Sequence, residues 1–152
     1  MSVRMTRDEA WARLAATHTG IVTTMRRDGM PIATPMWFCV YEEAVYFGTP
    51  SRSKKAARLR RNPKVGFLVE GGTRWAELWA VHLTGVATIA EDPETIEAVG
   101  AVMAEKYAGF STPRSEYPED ARRFYEADTR VLYRIDADER IVSWDNTKLG
   151  LA

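Results

Sequence analysis

Residues 47–67 read FGTPSRSKKAARLRRNPKVGF and predict a strand, a helix and a second strand in close succession. Ser51 or Ser53 is a suitable N-cap for a helix that runs to about Arg61, and Asn62, followed by a proline, ends it. A β-branched and aromatic pattern precedes the helix and resumes after it. The stretch contains seven basic residues and no acidic one, so its charge needs an explanation.

The composition of the whole chain bounds the class of protein. Its 152 residues, 45% hydrophobic and 28% charged, are typical of one soluble domain, which we expect to span residues 1–152. Basic and acidic residues balance at 21 each, which argues against a nucleic-acid binder and favours a small anion as the partner of the basic stretch. The N-terminal residues are charged and no apolar run approaches a membrane span, so we expect neither a signal peptide nor a membrane partner.

The few cysteines and histidines limit the chemistry. Cys39 is the single cysteine, which excludes an internal disulfide and is typical of a reducing, cytoplasmic location. We expect Cys39 to be a small core residue and His82 to be a barrel residue rather than an acid. With His18 as the second histidine, the chain shows no zinc-ligand spacing, and no hydrolase constellation is present. The sequence therefore predicts no metal site and assigns no catalytic residue.

The remaining local signals favour an antiparallel β fold. Thr6 and Glu9 have the spacing of a capping box, followed by a helix to about Ala16. Asp28-Gly29 predicts a hairpin, and two prolines in the next strand, Pro31 and Pro35, predict an edge strand or a bend. Six or seven strands, joined mostly by hairpins, indicate a mainly β antiparallel barrel with helices over its ends.

The second half of the chain yields three further expectations. Residues 75–90 predict one long strand, bent at Gly85. Asp92 is the predicted N-cap of a helix that ends at Gly109 and buries four residues along one face, namely Ile96, Val99, Met103 and Tyr107. Residues 130–135 and 140–144 are predicted to form the last strand pair.

A strand leads directly into the start of the basic helix, where backbone N–H groups and the helix dipole favour a phosphate. Hydroxyl and cationic side chains there can add hydrogen bonds: Thr49, Ser51, Arg52, Ser53, Lys54 and Lys55. Further along, Lys54, Arg58 and Arg61 share one face. A basic helix is also commonly a solvated surface, although a structural helix more often mixes charges, because Lys54 and Arg58 repel each other. The residues alone leave both interpretations open.

Several segments come in the order and spacing of a known family: residues 20–24, 28–29, 33–38, 48–55 and 59–65. They resemble the pyridoxamine 5′-phosphate oxidase-like split barrels, which bind flavin or deazaflavin cofactors. Residues 75–78, 83–87 and 142–149 are similar to an actinobacterial-type branch in which the cofactor is often coenzyme F420. The resemblance spans nearly the whole chain and is carried by the ordered set rather than by one motif.

The resemblance implies a six-stranded antiparallel split β-barrel with flanking α-helices, assembled as a homodimer with two cofactor sites at the subunit interface. The Ser-Arg-Ser-Lys-Lys segment, residues 51–55, would hold the cofactor phosphate, and Lys55 is the best match to the family's phosphate-binding lysine. Many relatives have asparagine where this chain has Arg58. The partner subunit would complete the pocket through residues 75–79 or the segment around Trp144. The cofactor ring would lie along Thr34, Pro35, Met36 and Trp37.

These implications lead to one preferred function and two alternatives. An acidic tail extends F420 beyond its phosphate, and the extra cations could face it: Arg58, Arg60, Arg61 and Lys64. We therefore expect an F420-dependent oxidoreductase that transfers hydride from the reduced deazaflavin to an unsaturated small-molecule acceptor. The alternatives are an FMN-dependent oxidoreductase of the same fold and a non-catalytic cofactor-binding protein.

Overall fold

The computed structural model describes residues 2–127 and 129–151. In that part of the chain, eight strands and four α-helices follow one another: α1 (Arg7–Ala16), β1 (Thr19–Met25), β2 (Pro31–Trp37), β3 (Cys39–Tyr41), β4 (Ala44–Pro50), α2 (Lys54–Arg61), β5 (Lys64–Gly71), β6 (Trp79–Ile89), α3 (Pro93–Lys106), α4 (Glu119–Ala127), β7 (Arg130–Ala137) and β8 (Val142–Asp145). Three short 3₁₀ helices cover Trp75–Glu77, Arg114–Glu116 and Asn146–Leu149. None of the helices in these ranges is long and apolar enough to cross a membrane.

The strands form one antiparallel sheet in the order β2-β1-β5-β6-β7-β4-β3, with β8 also paired to β6. The sheet curls around a main core that contains several fully buried large side chains, among them Phe38, Phe47, Phe67 and Leu83. A second, smaller cluster surrounds Cys39 and Tyr46. β2 lies at one edge of the sheet and β3 at the other, so the barrel is split between them. The predicted mainly β, antiparallel split barrel is confirmed, but the described residues form eight strands rather than the predicted six.

Several local signals are confirmed in detail. The Thr6 hydroxyl accepts from the Glu9 backbone N–H at 3.2 Å, and the Glu9 carboxylate accepts from the Thr6 N–H at 2.6 Å, so the capping box forms. The hairpin at Asp28-Gly29 joins β1 to β2, with Gly29 at a φ of 83°. The prolines of β2 lie on an edge strand. No strand pairs with its outer side, so the missing N–H groups interrupt no inter-strand hydrogen bonds there.

The end of the chain differs from the predicted strand pair. β7 and β8 do not pair with each other; both pair antiparallel with β6, β7 at Gly85–Ile89 and β8 at Trp79–His82. The two strands therefore continue one another along the same side of β6. The short connection between β7 and β8 predicts a hairpin. The connecting segment instead bends toward β6, where the Asp138 N–H donates to the Thr84 carbonyl at 2.8 Å.

Two other boundaries were also wrong. The predicted strand over residues 75–90 begins only at Trp79, because Trp75–Glu77 forms a 3₁₀ turn in which Glu77 accepts hydrogen bonds from the Thr73 and Arg74 backbone N–H groups. The helix α3 ends at Lys106, before Gly109.

The buried face of α3 is shorter than predicted. Val99 and Tyr107 are buried and Met103 is partly buried, but Ile96 is 41% exposed. The reason is that α3 packs outside the barrel against β3 and β4, so its first turn projects past the sheet.

Gly20 occupies a position in β1 that allows no side chain. A Cβ there would overlap the ring of Phe67, which is fully buried and has no room to move. We expect Gly20→Ala to lower the free energy of unfolding by about 1–3 kcal/mol because it overpacks the core. Urea unfolding followed by tryptophan fluorescence measures the change.

Gly100→Ala is the matched control. Gly100 lies on the exposed face of α3, and a Cβ there would have nothing within 4 Å. This substitution should raise the free energy of unfolding by about 0.5–1 kcal/mol, because alanine is the better helix former. Equal effects of the two substitutions would contradict the packing assigned to Gly20.

Candidate functional site

The start of α2 is built from hydroxyl groups. Ser53, not Ser51, is the N-cap, and its Oγ accepts from the Ala56 N–H at 3.0 Å. The hydroxyl of Thr49, buried at the end of β4, lies 3.1 Å from the Ser53 Oγ. The backbone N–H of Ser51 donates to the Thr129 carbonyl at 2.8 Å, which ties this segment to β7. The sequence therefore places two hydroxyl groups and several N–H groups at one helix terminus.

Lys55 projects from the first turn of α2 into the split of the barrel. Its ammonium group is half-buried and donates to the sulfur of Met36 on β2. No carboxylate among the described residues forms an ion pair with it. Burial lowers the pKa of Lys55, and the Arg58 guanidinium lowers it further. A thioether is a weak acceptor, so this cation lacks a partner that matches its charge.

Thr34 lies beside Met36 on the same face of β2, and its Oγ1 is buried without a hydrogen-bond partner in the described structure. Buried hydroxyl groups are nearly always paired, so an unpaired one at the split is a feature to explain. Lys55 and Thr34 thus offer two polar groups near Met36 that lack a matching hydrogen-bond partner in the described structure. This donor set fits a ligand with an anionic group and further polar atoms.

Strand alternation separates the four residues predicted along the ring. Thr34 and Met36 point toward the split, whereas Pro35 and Trp37 lie on the opposite, exposed face of β2. The indole of Trp37 stacks on Tyr107 with ring centroids 4.2 Å apart and an interplanar angle of 7°. The structure therefore brings only two of the four residues next to Lys55.

The contacts of Tyr107 and Lys106 hold the chain at the break between β2 and β3. The Tyr107 hydroxyl accepts from the Phe38 N–H at 2.8 Å and lies 2.7 Å from the His18 carbonyl oxygen. The Lys106 ammonium donates to the Phe38 carbonyl at 2.9 Å and lies over the Phe38 ring. Burial lowers the pKa of Lys106 to about 8, against a smaller opposing effect of Cys39. The end of α3 thus fixes the position of the last residues of β2.

A cationic cleft lies along the outer side of α2. It has a volume of about 350 Å³ and is lined by Ala57 and five basic residues, Arg26, Arg27, Lys54, Arg58 and Arg61. The predicted shared face of Lys54, Arg58 and Arg61 is therefore present. Among the ion pairs of the described residues, one involves a side chain of this cleft: Asp28 pairs with Arg26 at 2.7 Å.

Arg26 and Arg27 come from the turn between β1 and β2 and were not predicted. The two arginines are visible in the sequence beside the hairpin signal, but nothing local shows that this turn faces α2. Two cations that were predicted for an acidic tail lie elsewhere. Arg60 donates to the Ser51 carbonyl at 2.9 Å, and Lys64 borders a different cavity.

Arg58 and Arg61 are anchored within the cleft. The Arg58 Nε donates to the buried Thr24 hydroxyl at 2.7 Å, and Arg61 donates to the Met25 carbonyl at 2.9 Å. Both guanidinium groups are therefore held in fixed positions on β1. Lys54 and Arg27 have no such anchor on this strand.

A larger cavity, of about 640 Å³, opens on the outer face of the sheet beside His82. His82 is half-buried on that face rather than inside the barrel, and its ring would meet a Cβ at Gly66. Cys39 is fully buried, and burial raises the pKa of its thiol to about 11, which confirms a core role. Across the described residues, no group of histidine, cysteine and acidic side chains could hold a metal ion.

The comparison with family profiles matches most of the chain to one family. The profile of the pyridoxamine 5′-phosphate oxidase family matches residues 6–138. A conserved hypothetical protein from Mycobacterium tuberculosis, of known structure, is 35% identical, with coverage of 99% of this chain and 91% of that chain and a TM-score of 0.81. No curated protein matches the sequence significantly.

Two more distant structures share the fold. The FAD-binding protein from Mycobacterium smegmatis is 19% identical, with coverage of 93% and 98% of the two chains and a TM-score of 0.62. A protein named F420 reductase is 23% identical, with coverage of 86% and 94% and a TM-score of 0.61. At these identities the likeness concerns the fold alone.

The position of Lys106 predicts a pH dependence of stability. The pKa of Lys106 falls from 10.5 to about 8 on folding, so the unfolded chain binds more protons between these values and the free energy of unfolding rises with pH there. The free energy of unfolding of wild type minus that of Lys106→Met should therefore rise from pH 8 to pH 10.5, by about 1 kcal/mol after allowance for solvent screening. Urea unfolding at a series of pH values measures this difference, and a constant difference would contradict the burial of the ammonium group.

Proposed function

The chain belongs to the pyridoxamine 5′-phosphate oxidase family, and we propose that it is an oxidoreductase that uses coenzyme F420, with FMN as the alternative cofactor. The family includes oxidoreductases with flavin or deazaflavin cofactors. The observation that carries the proposal is the half-buried Lys55 ammonium, which has a thioether as its partner beside an unpaired Thr34 hydroxyl. The buried free thiol of Cys39 supports a reducing, cytoplasmic location.

The start of α2 would hold the cofactor phosphate. Lys55 would give a charge-assisted hydrogen bond to it, and Thr49 and Ser53 would add hydroxyl groups. The N-terminal end of the helix adds its dipole and its backbone N–H groups. Ser51 and Arg52 belong to the same segment, and the ring would lie at the split beside Thr34 and Met36.

The cationic cleft favours F420 over FMN. Five basic side chains line the cleft and a single acidic side chain, Asp28, pairs with one of them in the described structure. Like charges at this spacing repel one another, which is destabilising unless an anion neutralises them. A cofactor with an acidic tail beyond its phosphate would do so, whereas FMN has no such group.

When bound, reduced F420 supplies a hydride to an unsaturated acceptor. The residues of the chain bind and orient the two molecules. Lys55 and Ser53 would fix the phosphate end, and Arg58, itself held by Thr24, would fix the start of the tail. Met36 would exclude water from one side of the split, since it is packed against the barrel core.

Titrations of two variants with F420 and with FMN, followed by cofactor fluorescence, test the assignment. Lys55→Ala removes the phosphate contact that both cofactors share, so it should raise both dissociation constants about 10- to 100-fold. Arg27→Glu reverses a charge in the cleft only. It should raise the dissociation constant of F420 about five- to tenfold and that of FMN less than about twofold.

Arg140→Glu is the matched control for Arg27→Glu, since it makes the same change of charge at an exposed site away from the cleft. It should leave both affinities unchanged. Equal losses of F420 and FMN affinity in Arg27→Glu would remove the argument for the acidic tail and favour FMN. Unchanged affinities in Lys55→Ala would exclude the phosphate assignment.

We also propose that two copies of the chain pair through the outer apolar face, which consists of Ile21, Leu68, Val86, Val142 and Trp144. The register of β1, β5, β6 and β8 places these residues on the side of the sheet away from the core. Val86, Val142 and Trp144 are 44%, 45% and 39% exposed. Several large apolar side chains on one exposed face support an interaction surface.

Trp144→Glu tests this pairing. In size-exclusion chromatography with light scattering, the wild type should have twice the mass of one chain. The variant should raise the dimer dissociation constant at least about tenfold, because it buries an unpaired charge in the interface. Ile96→Glu, at an equally exposed apolar residue on α3, is the control and should remain dimeric. A wild type that is monomeric at high concentration would exclude the pairing.

A further inference from the structure

The segment between α3 and β7 is tied at its start to the end of β2 and at its end to the phosphate-binding segment. At its start, Tyr107 stacks on Trp37, and the Phe110 ring lies 4.7 Å from the His18 ring. At its end, the Thr129 carbonyl accepts from the backbone N–H of Ser51. The intervening chain therefore runs from the end of β2 to the phosphate-binding segment.

The helix α4, in the middle of this segment, has an unburied aromatic face. None of its residues is buried, and Phe124 and Tyr125 are 51% and 37% exposed. Their rings contact each other, with centroids 5.3 Å apart, and the Tyr117 ring lies 5.8 Å from that of Tyr125. The opposite face is polar, where Arg123 pairs with Glu119. Such a helix gains stability when its aromatic face covers another surface.

Chain length limits where this face can go. A single residue separates Ala127, the last residue of α4, from Thr129, and two consecutive Cα–Cα steps span at most about 7 Å. Because Thr129 is bonded to Ser51, the last turn of α4 stays beside the start of α2. Gly109, in the turn after α3, has a φ of 81° and nothing near the position of a Cβ. A turn of this kind can absorb a change of backbone angle when the helix moves.

We propose that α4 closes over the bound cofactor, so that Phe124 and Tyr125 cover its ring and form one wall of the space that receives the acceptor. This inference rests on the proposed function, which places the cofactor ring at the split beside Met36. The tethering at both ends favours the cofactor of the same chain as the surface that α4 covers.

Limited trypsin digestion tests the closure. Arg122 and Arg123 are cleavage sites within α4, and Arg140 is an exposed reference site outside the segment. Saturation of the wild-type protein with F420, or with FMN if that cofactor binds more tightly, should slow cleavage in α4 about fivefold or more. Cleavage after Arg140 should keep its rate.

Quenching of cofactor fluorescence by acrylamide tests the aromatic contact. The double variant Phe124→Ala/Tyr125→Ala should raise the quenching constant of the bound cofactor about threefold, because the ring becomes open to solvent. Glu126→Ala, on the polar face of the same helix, is the control and should not change it. Thermal unfolding checks that both variants are folded.

The outcomes separate the two proposals. If the wild type binds the cofactor, Lys55→Ala weakens that binding and the rate of cleavage in α4 does not change, the closure is overturned and the proposed function stands. Failure to bind either cofactor would overturn both. Protection of α4 that depends on protein concentration without any cofactor would assign the aromatic face to a second copy of the chain and overturn the closure.

Discussion

The half-buried ammonium of Lys55 is the constraint around which the candidate site is organised. A partly desolvated cation without a carboxylate lowers the stability of a folded protein, and Arg58 adds to the cost because it carries the same charge. Around this group the fold places a capped helix start and an unpaired Thr34 hydroxyl. The desolvated cation and the unpaired hydroxyl each oppose stability, and together with the helix start they favour an anionic ligand, as is usual at functional sites.

The split of the barrel follows from its edge strands. Pro31 and Pro35 cannot donate on the outer side of β2, so no further strand extends the sheet there. On the other edge, β3 is only three residues long and its hairpin to β4 turns through Glu42 and Glu43, both with positive φ. The chain leaves β4 directly into α2, which packs against β1 and β4, and the first turn of α2 carries Lys55 to Met36 on the edge strand β2.

Local chemistry explains what could be predicted from the sequence. The capping box at Thr6, the hairpin at Asp28-Gly29 and the helix start at Ser53 each depend on residues a few positions apart, and each is confirmed. Long-range placement was not accessible in the same way. Arg26 reaches the cleft through packing of a hairpin turn on α2, and β8 lies along β6 through a bend that no short motif encodes. For β2, the sequence itself was sufficient to separate the predicted ring contacts. Side chains alternate along a strand, so Trp37 and Met36 lie on opposite faces, although the family resemblance groups them.

The charge distribution connects the cleft to the rest of the fold. The chain is neutral overall, yet five basic side chains converge between α2 and the β1–β2 turn. Asp28 pairs with one of them, Arg26, whereas the other ion pairs of the described residues lie elsewhere, as that of Glu9 with Lys148 does. Arg58 and Arg61 are bonded to Thr24 and Met25, so the repulsion between them is not relieved by rotation of the side chains. Fixed cations lose little conformational entropy when an anion binds, and their field attracts it from a distance. A solvated surface helix gains nothing from such anchoring, which is why the arrangement favours a ligand with negative charge beyond a single phosphate.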